Sequence, residues 1–194
     1  RDVRWNRFWT WRTRFRSCFM ARRSRTVRAR RGRVARTCRR SVDGLGYRRS
    51  IWVFLETAEW SLKSADLVAE VDACLYLIDC LPNMDADLVA ERGEAFVKIL
   101  RDRRPNDPIL MVEDRTYGDA FIKADRAHRN ETSRAVYRPI FDQLSVSDPN
   151  LYYLEGAGQL GDDDTVDGSH PTDLGFARMT DVFSTKIGEI LDSR

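Results

Sequence analysis

From residue 64 onwards the chain alternates short apolar runs with longer stretches of helical spacing. Few folds accept that order. Leu75-Tyr76-Leu77-Ile78, Ile109-Leu110-Met111-Val112 and Leu151-Tyr152-Tyr153-Leu154 are continuous runs of strand length. Such runs have no polar face to turn to water, so they suit parallel strands covered on both sides. After the first run, Asp85 offers an N-cap, with Asp87 near the positive end of the helix dipole. Leu88, Arg92, Ala95, Phe96, Ile99 and Leu100 follow at helical spacing, with Arg92 the polar exception, and Pro105 and Pro108 end the helix. Asn130 to Leu144 reads as another helix that Pro139 must kink or start. Phe176, Met179, Phe183, Ile187 and Ile190 form the stripe of a final one. The expectation is an α/β domain with parallel strands near 75–80, 108–113 and 151–154. In such sheets ligands bind at the carboxyl ends of the strands, where Glu113-Asp114-Arg115-Thr116-Tyr117 falls.

The first fifty residues do not share this composition. They hold 18 Arg, no Lys and only Asp2 and Asp43 as acids, whereas the remainder holds 15 basic and 28 acidic residues. The net charge of +3 conceals that split. Two domains of a kind are expected: an Arg- and Trp-rich segment over 1–63 and an α/β domain, incomplete, over 64–194. Three readings of the basic segment are open: a nucleic-acid-binding arm whose cations meet phosphates while aromatics stack on bases, a disordered tail, and coding DNA translated in the wrong frame.

One later stretch carries chemistry: Val166-Asp167-Gly168-Ser169-His170-Pro171-Thr172-Asp173-Leu174-Gly175-Phe176. Asp167 and His170 lie three apart in a segment too rich in Gly and Pro for regular structure. A carboxylate beside an imidazole fixes its tautomer and stabilises its charged form. The plainer alternative is a turn capped by Asp167 with a surface histidine after it. Asn83 is likewise open to a plainer reading, because Pro82-Asn83 is a good turn pair.

The block Asp167-Gly168-Ser169-His170-Pro171-Thr172-Asp173-Leu174-Gly175-Phe176 resembles the last conserved block of the SGNH hydrolases, the GDSL-like esterases. Leu75 to Met84 resembles the strand and loop that deliver the oxyanion-hole Asn, although Leu81-Pro82-Asn83-Met84 departs from the usual Gly-x-Asn-Asp. The resemblance covers roughly residue 64 to the end. It implies a three-layer, flavodoxin-like α/β fold with a parallel sheet. It also implies His170 as general base, Asp167 as its orienting acid and Asn83 as an oxyanion donor, acting on an acyl or acetyl ester that is often carbohydrate-linked.

The resemblance also bears on the basic segment. Shifting the implied codons of Phe19 to Arg33 back by a single base permits Tyr-Gly-Thr-Ser-Ile-Ala-His-Gly-Ala-Cys-Ala-Ser-Arg-Pro-Gly, whose start resembles the family's nucleophile block. The same shift over Ser50 to Lys63 permits Asn-Leu-Gly-Phe-Ser-Gly-Asn-Gly-Arg-Met-Glu-Pro-Glu-Val, which resembles its second block. A frame error is therefore the favoured reading, with the N-terminal strands missing or disrupted, the edge of the sheet unpaired and the true start absent. No serine is in a nucleophile context: Ser24 lies in the shifted frame, Ser169 adjoins His170, and Ser61 and Ser64 have no supporting motif. The chain as it stands is expected to be a poor esterase.

No cofactor and no metal is expected. Cys74 and Cys80 lie too far apart along one strand to bridge, no spacing suits zinc, and Asp162-Asp163-Asp164 lacks the alternation of a calcium loop and is expected to be solvated. No apolar run approaches the length of a membrane span. The expected partner is a small-molecule or carbohydrate ester rather than nucleic acid; the alternative is a non-enzymatic α/β domain whose basic arm binds nucleic acid or another polyanion.

Overall fold

The computed structural model describes residues 62–194 in full and the backbone of residues 50–55. The basic segment, Ser24 and Ser61 lie outside the described residues, and so does almost all of the sequence on which the frame reading rests. In chain order the elements are β1 (Ser50–Leu55), α1 (Leu62–Ala69), β2 (Ala73–Asp79), a single 3-10 turn at Leu81–Asn83, α2 (Ala86–Arg103), β3 (Ile109–Val112), α3 (Ala124–Ser145), β4 (Leu151–Leu154) and α4 (Asp173–Asp192).

The strands form one parallel sheet in the order β1-β2-β3-β4. The three expected strands are present, and a fourth lies beside them. β1 pairs along the whole of β2, from Ser50 opposite Ala73 to Leu55 opposite Asp79. The edge of β2 expected to stand open is therefore paired. As written, Ile51-Trp52-Val53-Phe54-Leu55 is β-branched and aromatic, the composition that suits a strand. Because the sheet runs in chain order, the reversal of a flavodoxin-like order does not occur among the described strands.

Side chains alternate across the sheet, as the strand repeat requires. Tyr76, Ile78, Ile109, Met111 and Leu151 enter a core covered by α1, α2 and α3. Leu75, Leu77, Leu110 and Val112 enter a second core on the other face, covered by α4. The result is three layers with the sheet in the middle. Asp85 caps α2 as expected, accepting from Leu88 N at 2.9 Å. The buried stripe of α2 is Val89, Gly93, Phe96, Val97 and Leu100, so it is turned by one residue from the expected one. Gly93, not Arg92, lies on the core side. Helix α3 starts at Ala124, ahead of the expected Asn130, and Pro139 sits inside it.

On α4, Met179, Phe183, Ile187 and Ile190 are buried at the expected spacing, while Phe176 is only partly covered. Thr172 caps this helix: its hydroxyl accepts from Gly175 N at 3.1 Å and donates to Asp164 O at 3.2 Å. Thr172→Ala is expected to lower stability by about 1 kcal/mol in urea unfolding, with Thr172→Ser restoring most of it. A loss below ~0.3 kcal/mol would show that the cap contributes little.

Candidate active site

Residues 164–172 fold back on themselves as a tight loop at the start of α4. Thr165 and Pro171 form an isolated antiparallel bridge, and Val166 N donates to His170 O at 2.9 Å. Gly168 turns the tip with φ +84°, a conformation that L side chains rarely adopt. The geometry gathers three donors around one carboxylate. Ser169 N and His170 N donate to Asp167 Oδ1 at 2.9 and 2.8 Å, and His170 Nδ1 lies 2.7 Å from Asp167 Oδ2. These hydrogen bonds, led by those from the His170 amide and ring, hold the Asp167 carboxyl well below the usual carboxylate range. With Nδ1 donating to the carboxylate, Nε2 is the nitrogen left to accept a proton. The His170 side chain is 71% exposed, so that nitrogen is open to an incoming substrate.

The pH dependence of this loop follows from the sign of the Asp167 shift. A depressed native pKa means that the bonds stabilise the loop above the ordinary carboxylate value of about 3.9 and are lost only as pH falls through the lower native value. In an NMR titration the amides of Ser169 and His170 are therefore expected to show no inflection near the ordinary value. An inflection there would mean that Asp167 titrates like a solvated side chain.

Asn83 is delivered from the other direction. It ends the 3-10 turn that follows β2, is exposed, and its backbone N–H donates to Cys80 O at 3.1 Å. The parallel sheet places this turn at the carboxyl end of β2, while the segment 113–119 leaves the carboxyl end of β3. That second segment supports the His170 loop. Gly118 N donates to Gly168 O at 2.8 Å, and Arg115 donates twice to Ser169 O, at 3.1 and 2.9 Å. Ser169 is thus occupied in shaping the loop by both its amide and its carbonyl.

Two arginines of α3 complete the arrangement. Arg126 Nη1 donates to Asp119 Oδ1 at 2.7 Å and to Asp167 O at 2.8 Å. Arg129 Nη2 donates to Pro82 O and Met84 O, both at 2.9 Å, and so holds the carbonyls on either side of Asn83. Between them, Tyr117 offers its ring to both guanidinium groups, at 5.2 Å for Arg126 and 5.9 Å for Arg129, and its hydroxyl is hydrogen-bonded to Arg129 Nη1. Beneath this network Asp114 is buried, accepting from Asn130 Nδ2 at 2.9 Å. Burial pushes its carboxyl up, against the opposing influence of Arg115, Arg129 and Arg134.

Asp167 and His170 are thus brought into direct contact, and Asn83 is tied to their loop through three further residues. Sequence reasoning had placed Tyr117 at the ligand-bearing edge but had not connected it with Arg126 and Arg129. Their three-residue spacing, which puts both on one helix face, was the available signal. Among the described residues no hydroxyl is bonded to the His170 ring. One expectation is corrected: Asp164 is not solvated. It is fully buried, its Oδ2 accepting from Gly161 N at 2.6 Å and pairing with Arg178 at 2.9 Å, because the loop folds over it on to α4. No described helix is long and apolar enough to cross a membrane.

Comparison with known proteins follows the same lines. A model of the GDSL-like lipase/acylhydrolase family matches residues 57–188. A structure from Bacteroides ovatus described as a GDSL-like lipase aligns with TM-score 0.67 and 27% identity over 70% of this chain, which spans 41% of that one. A salicylyl-acyltransferase of a tetracycline biosynthetic pathway aligns with TM-score 0.56 and 17% identity, covering 68% of this chain and 42% of its own. A family 3 carbohydrate esterase from Clostridium thermocellum aligns with TM-score 0.54 and 13% identity, covering 70% of this chain and 69% of its own. The last two likenesses, at such identities, concern the fold alone. No curated protein matches the chain.

Proposed function

The chain belongs to the GDSL-like lipase/acylhydrolase family, and we propose that it carries the acid, base and oxyanion-donor part of an ester hydrolase site. His170 takes the proton of an attacking hydroxyl on Nε2, Asp167 orients the ring and stabilises the imidazolium, and Asn83 donates its side-chain amide to the oxyanion. The observation that carries this reading is the 2.7 Å contact between His170 Nδ1 and an Asp167 carboxylate already fixed by two backbone amides. A carboxylate so held cannot swing away from the ring, whereas a plain turn cap has no need of the imidazole.

On this proposal the nucleophile comes from the first block of the frame-shifted reading, at the positions of Phe19 to Arg22. The register sets Leu55 opposite Asp79, so β1 ends beside the end of β2. In this chain the next residues read Glu56-Thr57-Ala58, without a serine. The frame-shifted reading would supply Tyr-Gly-Thr-Ser from Phe19 to Arg22 and a second-block glycine from Ser50 to Lys63, and the chain as it stands is accordingly inactive or nearly so. The substrate class is a small acyl or acetyl ester, with carbohydrate esters included. The test is turnover of p-nitrophenyl acetate by a chain with the frame restored upstream of Ser64, beside its His170→Ala variant. Equal rates would overturn the assignment.

A further inference from the structure

The two halves of the proposed site come from different strands and have no covalent link shorter than most of the domain. Asn83 follows β2, whereas Asp167 and His170 follow β4. An oxyanion donor and a base are useful only at a fixed separation, since a misplacement of about 1 Å costs on the order of a hundredfold in rate. Something must therefore set the distance between them.

We propose that Tyr117, held between Arg126 and Arg129, is the positioning residue that couples the Asn83 turn to the Asp167–His170 loop. The inference rests on the reading of Asn83, Asp167 and His170 as one site. Each arginine makes a different end of the connection. Arg129 bonds the carbonyls of Pro82 and Met84, leaving Asn83 between two fixed points. Arg126 bonds the carbonyl of Asp167 and the carboxylate of Asp119. Neither arginine reaches across alone. The shared element is the Tyr117 ring, against which both guanidinium groups lie, with the phenol oxygen bonded to Arg129.

The geometry suits a spacer better than a substrate contact. Arg126 Nη1 is bonded to carboxylate and carbonyl oxygens of the protein, and Arg129 to the phenol through Nη1 and to two carbonyls through Nη2, so these three nitrogens are engaged within the protein. The Asp119 carboxylate balances Arg126 and is paired with Lys123 at 2.8 Å, and the hydrogen bonds from Lys123 and Arg126 hold its carboxyl below the usual range. The Tyr117 backbone is fixed in turn: Asn130 Oδ1 accepts from Tyr117 N at 3.1 Å, and the Asn130 amide is anchored on buried Asp114. One residue later Gly118 N meets Gly168 O, so the spacer touches the His170 loop directly as well as through Arg126. A Cβ on Gly168 would lie 2.2 Å from the Asp119 carboxyl carbon and 2.4 Å from Arg126 Nη1, which shows how closely the clamp grips the loop.

The test reads coupling and needs no turnover. In the full 194-residue chain, NMR follows the Asn83 side-chain amide and the His170 ring, including its downfield Nδ1 proton, with thermal melting recorded for each variant. Arg126→Gln, on the His170 side, is expected to shift the Asn83 amide. Arg129→Gln, on the Asn83 side, is expected to shift the His170 ring signals. Tyr117→Leu shifts both, and Tyr117→Phe, which keeps the ring, retains most of the native positions for both. Where a Gln variant fails to fold, the Lys variant at the same position keeps the charge and loses the planar stacking, and it is read in its place. Shifts confined to the loop that each arginine bonds directly overturn the proposal, as does a Tyr117→Leu spectrum with both sets of signals in place. Hydrolysis by the frame-restored chain that His170→Ala leaves unaffected would sink the site reading instead, and would leave the coupling result as measured.

Discussion

With its reading frame restored upstream of Ser64, the chain is expected to hydrolyse p-nitrophenyl acetate, and His170→Ala to abolish that hydrolysis. The expectation follows from how the parts are held. On the proposed reading His170 and Asp167 follow β4 and Asn83 follows β2, so only the hydroxyl and the backbone donors of the first two blocks need to be added. Asn83→Ala is expected to lower kcat by about 10²–10³, the effect of removing one donor from a tetrahedral intermediate. Asp167→Asn costs up to about 10⁴ in buried triads. Here the Asp167 side chain is 49% exposed, so water takes over part of its role and that figure is a ceiling. The chain as it stands, measured alongside, is expected to release no more p-nitrophenol than its own His170→Ala variant. Equal turnover by the two chains, insensitive to His170, would remove both the triad and the frame reading.

Phe96→Ala is expected to destabilise the domain by about 3–5 kcal/mol. Phe96 is fully buried on α2, in the core that joins three helices to the sheet, and its removal leaves a cavity that the close-packed strands cannot fill. Urea unfolding should show a lower midpoint with an unchanged slope. Phe121, 85% exposed, gives the contrast: Phe121→Ala should stay within about 0.5 kcal/mol of the parent. A loss at Phe96 below ~1 kcal/mol would mean that the core as described is not closed around it.

Local pattern carried much of this molecule. The apolar runs at Leu75, Ile109 and Leu151 are strands because a run without a polar face can only be buried on both sides, and the Met179–Ile190 stripe is a helix for the matching reason. Periodicity resolves a helix face only to about one residue, and α2 shows the limit. Leu88 and Val89 are both apolar, and packing chose the face on which Gly93 lets α2 approach the core. Asp167 and His170 were legible because they lie three apart. Buried Asp164 was not, since its partner Arg178 sits on the following helix and nothing in an acidic triplet marks which member turns inward. The Tyr117 connection was hidden for the same reason: its bonds run from one loop to residues 35 and 50 positions away, here Pro82 and Asp167 through the two arginines.

The docking of α4 has a consequence for folding. This helix covers its face of the sheet, and the loop ahead of it bears Asp167 and His170. The two are joined closely: a Cβ on Gly175 would lie 2.2 Å from the Asp164 carbonyl oxygen, and Thr172 N donates to that same oxygen at 2.7 Å. α4 and the loop therefore form one cooperative unit, and local unfolding that frees the helix disperses the acid and base with it. Among the described strands every pair joins strands consecutive in the chain, and α4 follows all of them. Any ligand that binds the assembled loop therefore also stabilises the helix beneath it.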